Sequence, residues 1–318
     1  MIRIWLTYLI LIACGIQCEA QSWNDLRKDG KPIFTFTVND TLDFPVYVVE
    51  LPVENTKYYA AKLQTNVCND QVCLPIEVNL FWDLLGNYHH FSKEDKFNFT
   101  KFDHQYFDEN DYKRLNQILL DSLSPLRDYA VDDLLDKQAK KFSFEIDAVT
   151  RPTSPLFSNV TVPGALYTVY TLWHLVNGPI KQKLNEYTSQ VYAERNWQNY
   201  FASSQVPSYQ EYFLKHLSPA EIVRFKEKII ALLFAEDDFI PHYAIDVLQS
   251  NVFQDPTEYN PIIERLDHLK PHVITEILNT LSGYNQQTKA ILGRFKDSPK
   301  ASVKQKEIIE KSINYEEQ

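Results

Sequence analysis

Between positions 147 and 154 the chain sets one carboxylate, three hydroxyls and one guanidinium within eight residues, as Asp147, Thr150, Arg151, Thr153 and Ser154. A hydroxyl on an exposed loop is esterified through a phosphate when an enzyme and a nucleotide can approach it together. A guanidinium beside that hydroxyl suits a phosphate, because its planar donors match phosphate oxygens. The alternative for the same octapeptide is an ordinary proline loop in which Ser and Thr make local turns. Two thiols, Cys68 and Cys73, and an imidazole at His104 after Asp103 add further groups with redox or proton chemistry. His104 is placed to orient a ligand or shuttle a proton, since imidazole titrates near neutrality; its plainer role is that of a hydrogen-bonded turn residue.

The octapeptide resembles the Asp-x-x-(Ser/Thr)-Gly-Ala-Thr acceptor motif of FMN-binding domains, found in ion-pumping quinone reductase subunits and related bacterial envelope proteins. Asp147, Thr150 and Thr153 match, whereas Arg151 stands at the glycine position and Pro152 at the alanine position. The resemblance implies FMN joined to Thr153 through a phosphodiester, with Asp147 as a supporting carboxylate and Thr150, Arg151 and His104 around the cofactor. Arg151 adds bulk where glycine permits close backbone approach, and Pro152 deletes an N–H, so both oppose covalent attachment. Non-covalent retention of the flavin phosphate beside Arg151 stays open. Further segments are similar to the same family in the same order: Val67 to Pro75, Ile76 to Tyr88, Lys101 to His104, Asp111-Tyr112, Ile118-Leu119, and Pro163 to His174. Together they run from Val67 to Gly178 and imply a shared fold.

Composition bounds the rest. The 318 residues are 44% hydrophobic and 14% aromatic, enough for a substantial core. A net charge of −10 argues against a nucleic-acid partner, which wants clustered Lys and Arg. Only 7 glycines are present, and neither a dinucleotide-binding glycine pattern nor a P-loop occurs. No nucleophile-elbow or His-Glu-x-x-His motif supports a hydrolase, so no catalytic residue and no metal ligand is assigned. Any redox activity would be that of an electron carrier.

Residues 1–20 have the form of an export signal, with a basic start, an apolar run from Ile4 to Ile16 and a small residue at Ala20. Leu11-Ile12-Ala13-Cys14 also has lipobox character, which would anchor the chain by a lipid at Cys14. The expectation is a periplasmic or secreted protein, alternatively a lipid-anchored one. Export puts Cys68 and Cys73 in an oxidising compartment, where such a pair closes a small loop as a disulfide; a redox-active dithiol or half a metal site are the alternatives. Asn39, Asn98 and Asn159 head glycosylation sequons that matter only in a eukaryotic secretory pathway.

The elements that must position these groups are those of an α+β fold. Phe34 to Val38, Tyr47 to Leu51, Lys57 to Val67 and Ile76 to Trp82 are β-rich or alternate as antiparallel strands, and a strand around Phe142 to Ile146 leads into the acceptor-like loop. A helix opens at Asp108, and Ala165 to Val176 is a buried helix ending at Asn177-Gly178-Pro179. Trp82, Tyr88 and Trp173 are candidates to stack on an isoalloxazine ring or, more simply, core residues. His174 is expected in the core and His89-His90 as a solvated pair. The chain thus divides into residues 21–178, an FMN-binding-like antiparallel-sheet domain, and residues 179–296, an all-α, HEAT-like domain. Residues 297–318 form a charged tail expected to lack stable structure. Two functions follow: an exported flavin electron carrier whose helical domain docks a protein partner, served by a membrane or periplasmic redox partner and a flavin transferase; or a cofactor-free binding or scaffolding protein.

Overall fold

The computed structural model describes residues 23, 30–38, 42–51, 56–65, 75–94, 96–101, 105–135 and 153–315. The chain forms two compact units, residues 1–189 and 190–318, in an α+β arrangement. No helix among the described residues is long and apolar enough to cross a membrane.

The first unit is built on a five-stranded antiparallel sheet in the order of the chain: β1 Phe34–Val38, β2 Leu42–Leu51, β3 Thr56–Thr65, β4 Ile76–Trp82 and β5 Tyr88–Ser92. Ile76, Val78 and Leu80 are buried on one face, and Asn79 and Phe81 on the other are buried too. Strand β4 is therefore covered on both faces. On one face Tyr47, Val49, Tyr58, Ala60 and Phe81 cluster under Trp23, whose ring meets Tyr47 edge-on at 5.9 Å. On the other, Val46, Ala61 and Leu80 lie in one row and Tyr59 pairs with Trp82.

That second face receives helices. Helix α1, Glu109–Leu120, starts on a capping box: Asp108 accepts from the backbone N–H groups of Asn110 and Asp111 at 2.7 and 2.9 Å, and Asp111 returns a bond to Asp108 N–H at 3.0 Å. Its apolar residues Leu115, Ile118 and Leu119 recur at helical spacing and are buried. Helix α2, Leu166–Asn177, is tied to the end of α1 by Trp173 Nε1 donating to Asp121 O and Asn177 Nδ2 to Leu119 O, both at 2.9 Å. Trp82 Nε1 donates to Val176 O at 3.0 Å, joining β4 to α2.

Gly178 ends α2, since a Cβ there would lie 2.2 Å from the His174 carbonyl oxygen. Helix α3, Pro179–Val191, begins at once. Thr188 on α3 donates to Leu84 O, and its oxygen accepts from the Tyr59 hydroxyl at 2.6 Å. Gly86, at φ +80°, turns β4 into β5 where a Cβ would lie 2.5 Å from Lys181 O. Because α3 is bonded to the sheet in this way, the first unit runs to Ser189, past the boundary expected at position 178.

The second unit is helical: α4 Trp197–Ser203, α5 Pro207–Lys215, α6 Pro219–Arg224, α7 Lys226–Leu232, α8 Ile240–Leu248, α9 Pro256–Ile263, α10 Pro271–Thr280, α11 Gln286–Lys296 and α12 Val303–Tyr315. Proline in the first turn opens several of them, where its missing N–H has no helical partner to lose. Helices near one another in the chain pack together, as α4 with α5, α5 with α8, α8 with α10 and α10 with α12. Asn196, between α3 and α4, adopts a left-handed conformation at φ 54° that keeps the two from running on as one helix. One expectation changes. Residues 303–315 of the charged tail form a helix: α12 buries Ile309, and Gln305 Nε2 donates to Pro271 O at 2.8 Å. Few apolar residues suffice there because a buried amide bonds to a neighbouring helix.

Trp82 carries the sheet-to-helix packing, so Trp82→Ala removes a fully buried indole and leaves Val176 O unpaired. We expect a loss of about 3–5 kcal/mol in chemical denaturation; a loss below about 1 kcal/mol would contradict the two-faced burial of β4.

Candidate functional site

Thr153 is the part of the acceptor-like motif that can be located with its surroundings. Its backbone pairs with Leu135 in an isolated antiparallel bridge, and Ser154 N–H donates to Leu134 O at 2.8 Å. The side chain is half-buried, so the hydroxyl position is neither in the core nor on a fully open surface. From Ser154 the chain turns into a short 3₁₀ helix, Pro155–Val160.

The end of that 3₁₀ helix forms one wall of an open groove of about 610 Å³, and the polar face of α1 forms the other. Asn110, Lys113, Arg114, Gln117 and Asp121 come from or just beyond α1, and Asn159 comes from the facing wall. Arg114 Nη2 donates to Ser158 O and joins the two walls. The groove therefore offers two cations, three amides and one carboxylate at its far end, in a volume within the range of small-molecule sites. Lys113 and Arg114 did not emerge from motif reading. Their signal is the polar side of α1, Asn110, Lys113, Arg114, Gln117 and Asp121 at helical spacing, beside the apolar stripe of Leu115, Ile118 and Leu119.

The capping box holds this helix electrostatically as well. Asp108 is kept below the usual carboxylate range, chiefly by the backbone N–H of Asp111, then by that of Asn110 and the charge of Lys101. Lys101 pairs with Asp111 at 2.8 Å.

The aromatic candidates belong to the core. Trp82 and Trp173 are buried with their indole N–H groups bonded to backbone carbonyls. Tyr88 is buried, and its hydroxyl donates to Asn116 Oδ1 at 2.8 Å. Their rings cannot stack on a ligand without repacking. His174 packs against Tyr170 and Trp173 at 4.3 and 5.0 Å, and burial lowers its pKa. Its Nε2 is buried without a hydrogen-bond partner, so it is held as a neutral ring. Among the described residues no aromatic side chain lines the groove.

Asp147, Thr150, Arg151, His104, Cys68 and Cys73 lie outside the described residues, as do Cys14 with the rest of residues 1–20, Asn39, and the strand read around Phe142 to Ile146. Among the described residues no group of three or more His, Cys, Asp and Glu side chains is arranged to hold a metal ion. Comparison of the chain with protein families, curated proteins and solved structures finds no match.

The depressed pKa of Asp108 has a definite sign. Its contribution to stability is present above the unfolded carboxylate value of about 3.9 and is lost as pH falls through the lower folded value. Asn caps helices as Asp does, so Asp108→Asn is expected to keep the fold at neutral pH while flattening the loss of stability on acidification. Urea midpoints across an acid pH series test this; parallel curves for the two proteins would contradict it.

Proposed function

We propose that the protein is an exported, flavin-based electron carrier that holds FMN on or near Thr153, with the second unit as a HEAT-like docking module for a protein partner. The observation that carries this reading is the position of Thr153. It is half-buried, pinned by its backbone to Leu135, and followed by the 3₁₀ helix that walls a groove bearing Lys113 and Arg114. The order of family-like segments from Val67 to Gly178 adds support from the sequence.

The described residues fit one end of FMN. Lys113 and Arg114 suit its phosphate, and the amides of Asn110, Gln117 and Asn159 suit ribityl hydroxyls. When bound, the flavin supplies the one- and two-electron chemistry, and the protein supplies position and electrostatics. In that role Thr153 would hold the phosphate as an ester, formed by a flavin transferase that breaks the pyrophosphate of a flavin dinucleotide and releases its nucleoside monophosphate. Lys113 and Arg114 would offset the phosphate charge, and Arg114 keeps the 3₁₀ wall against α1 through Ser158. A redox partner at the membrane or in the periplasm would donate or accept the electrons.

A second reading, a cofactor-free binding or scaffolding protein on the same fold, draws support from a specific feature: Trp82, Tyr88 and Trp173 are committed to the core. Arg151 and Pro152 at the motif's small positions favour it as well.

Intact-mass measurement distinguishes the two. Protein co-expressed with a flavin transferase is expected to carry one FMN adduct that Thr153→Ala abolishes. A colourless protein of unmodified mass would leave the scaffolding reading.

A further inference from the structure

Strands β4 and β5 slip out of register between Phe81 and Trp82: Phe81 pairs with His90 and Trp82 with Tyr88, which leaves His89 as an extra residue. In a regular strand, neighbouring side chains point to opposite faces. A bulge turns one of them aside, and here Nδ1 of His89 comes to 2.8 Å from Nδ1 of His90. Aromatic rings hold both imidazoles. His90 stacks on buried Phe81 at 4.3 Å and 3° between planes, and buried Tyr58 lies 4.8 Å from His89 and 5.9 Å from His90.

We propose that His89 and His90 form a two-imidazole site for a divalent late transition metal that prefers square-planar or tetragonal nitrogen coordination, Cu(II) or Ni(II). The spacing needs little change to fit that geometry. With metal–nitrogen bonds of about 2.0–2.1 Å, two nitrogens at right angles on one metal are about 2.8–3.0 Å apart, and two in a tetrahedral set about 3.3–3.4 Å. The hydrogen bond between the rings holds the two nitrogens at 2.8 Å, nearer the right-angled pair favoured by Cu(II) and Ni(II) than the tetrahedral one.

Without metal, a contact this short needs a proton on one of the two Nδ1 atoms, shared as an N–H···N bond. Metal binding moves that proton to Nε2 of the same neutral ring and frees two lone pairs at Nδ1, with no change in charge on the protein. His89 is exposed, so solvent reaches the remaining coordination positions. Water fills them, because among the described residues no third His, Cys, Asp or Glu joins the pair in a metal-holding group. The carboxylate of Asp83 is occupied by the N–H groups of Leu85 and Asn87 at 2.9 and 2.8 Å, so it is not a ligand. The site does not depend on the flavin reading.

Cu(II) titrated into the full chain and followed by electron paramagnetic resonance tests the site. One equivalent is expected to bind with a tetragonal spectrum showing two coupled nitrogens. His89→Ala, which changes an exposed side chain, is expected to weaken binding more than about tenfold with the melting temperature unchanged, and His242→Ala in the second unit to leave it as it was. Wild-type protein that binds no Cu(II), or His89→Ala protein that binds it with the same affinity and spectrum, would overturn the proposal. So would transfer of the loss to His242→Ala.

Discussion

Burial of β4 on both faces is the constraint from which the first unit follows. A strand covered on one side needs only an apolar row, but Ile76–Trp82 also buries Asn79 and Phe81. Something must cover each face, and every polar group inside must find a partner. Few bonds meet the second demand. On the Trp23 face Asn79 donates to Ser92 Oγ at 3.2 Å; on the helical face Trp82 donates to Val176 O, and Thr188 donates to Leu84 O and accepts from Tyr59. The bonds on the helical face fix α2 and α3 against the sheet. Through Trp173 and Asn177 they also fix the end of α1, and so the stripe on which Lys113 and Arg114 stand.

The same constraint explains which aromatic residues are unavailable for ligand binding. A sheet with helices bonded to its second face spends its large rings on packing, and Trp82, Tyr88 and Trp173 are fully engaged there. The first unit presents outward a groove with two cations beside α1, and a half-buried threonine stands six residues before Asn159. That division suits recognition of a phosphate and hydroxyl chain better than clamping of a flat ring between the described elements. Under the flavin reading, the partners of the isoalloxazine lie elsewhere.

Much of the architecture was legible in the residues because it rests on local rules. The strands at Phe34, Tyr47, Lys57 and Ile76 announce themselves by alternation and β-branched or aromatic content, and α1 by the Asp108-to-Asp111 box. Pro219 and Pro271 mark helix starts in the second unit. What was not legible depends on contacts distant in sequence or on a single backbone choice. Asn196 breaks a helix-like run by entering the left-handed region, which composition does not reveal. The tail is helical because Gln305 and Ile309 meet other helices, although its charge pattern reads as weak. The register slip that brings His89 to His90 contradicts alternation itself, so a pattern-based reading sends the two rings to opposite faces. Lys113 and Arg114 were invisible as a motif because their meaning comes from the Pro155–Val160 helix opposite them.

The proposal tested most directly is that the groove bearing Lys113 and Arg114 receives a flavin phosphate. Quenching of free FMN fluorescence on titration with the purified protein addresses it directly. The account predicts saturable quenching that is weakened at least tenfold, about 1.4 kcal/mol, when Lys113 and Arg114 are both replaced by Ala. Saturable binding that is indifferent to the double substitution, or no binding at all, would contradict it.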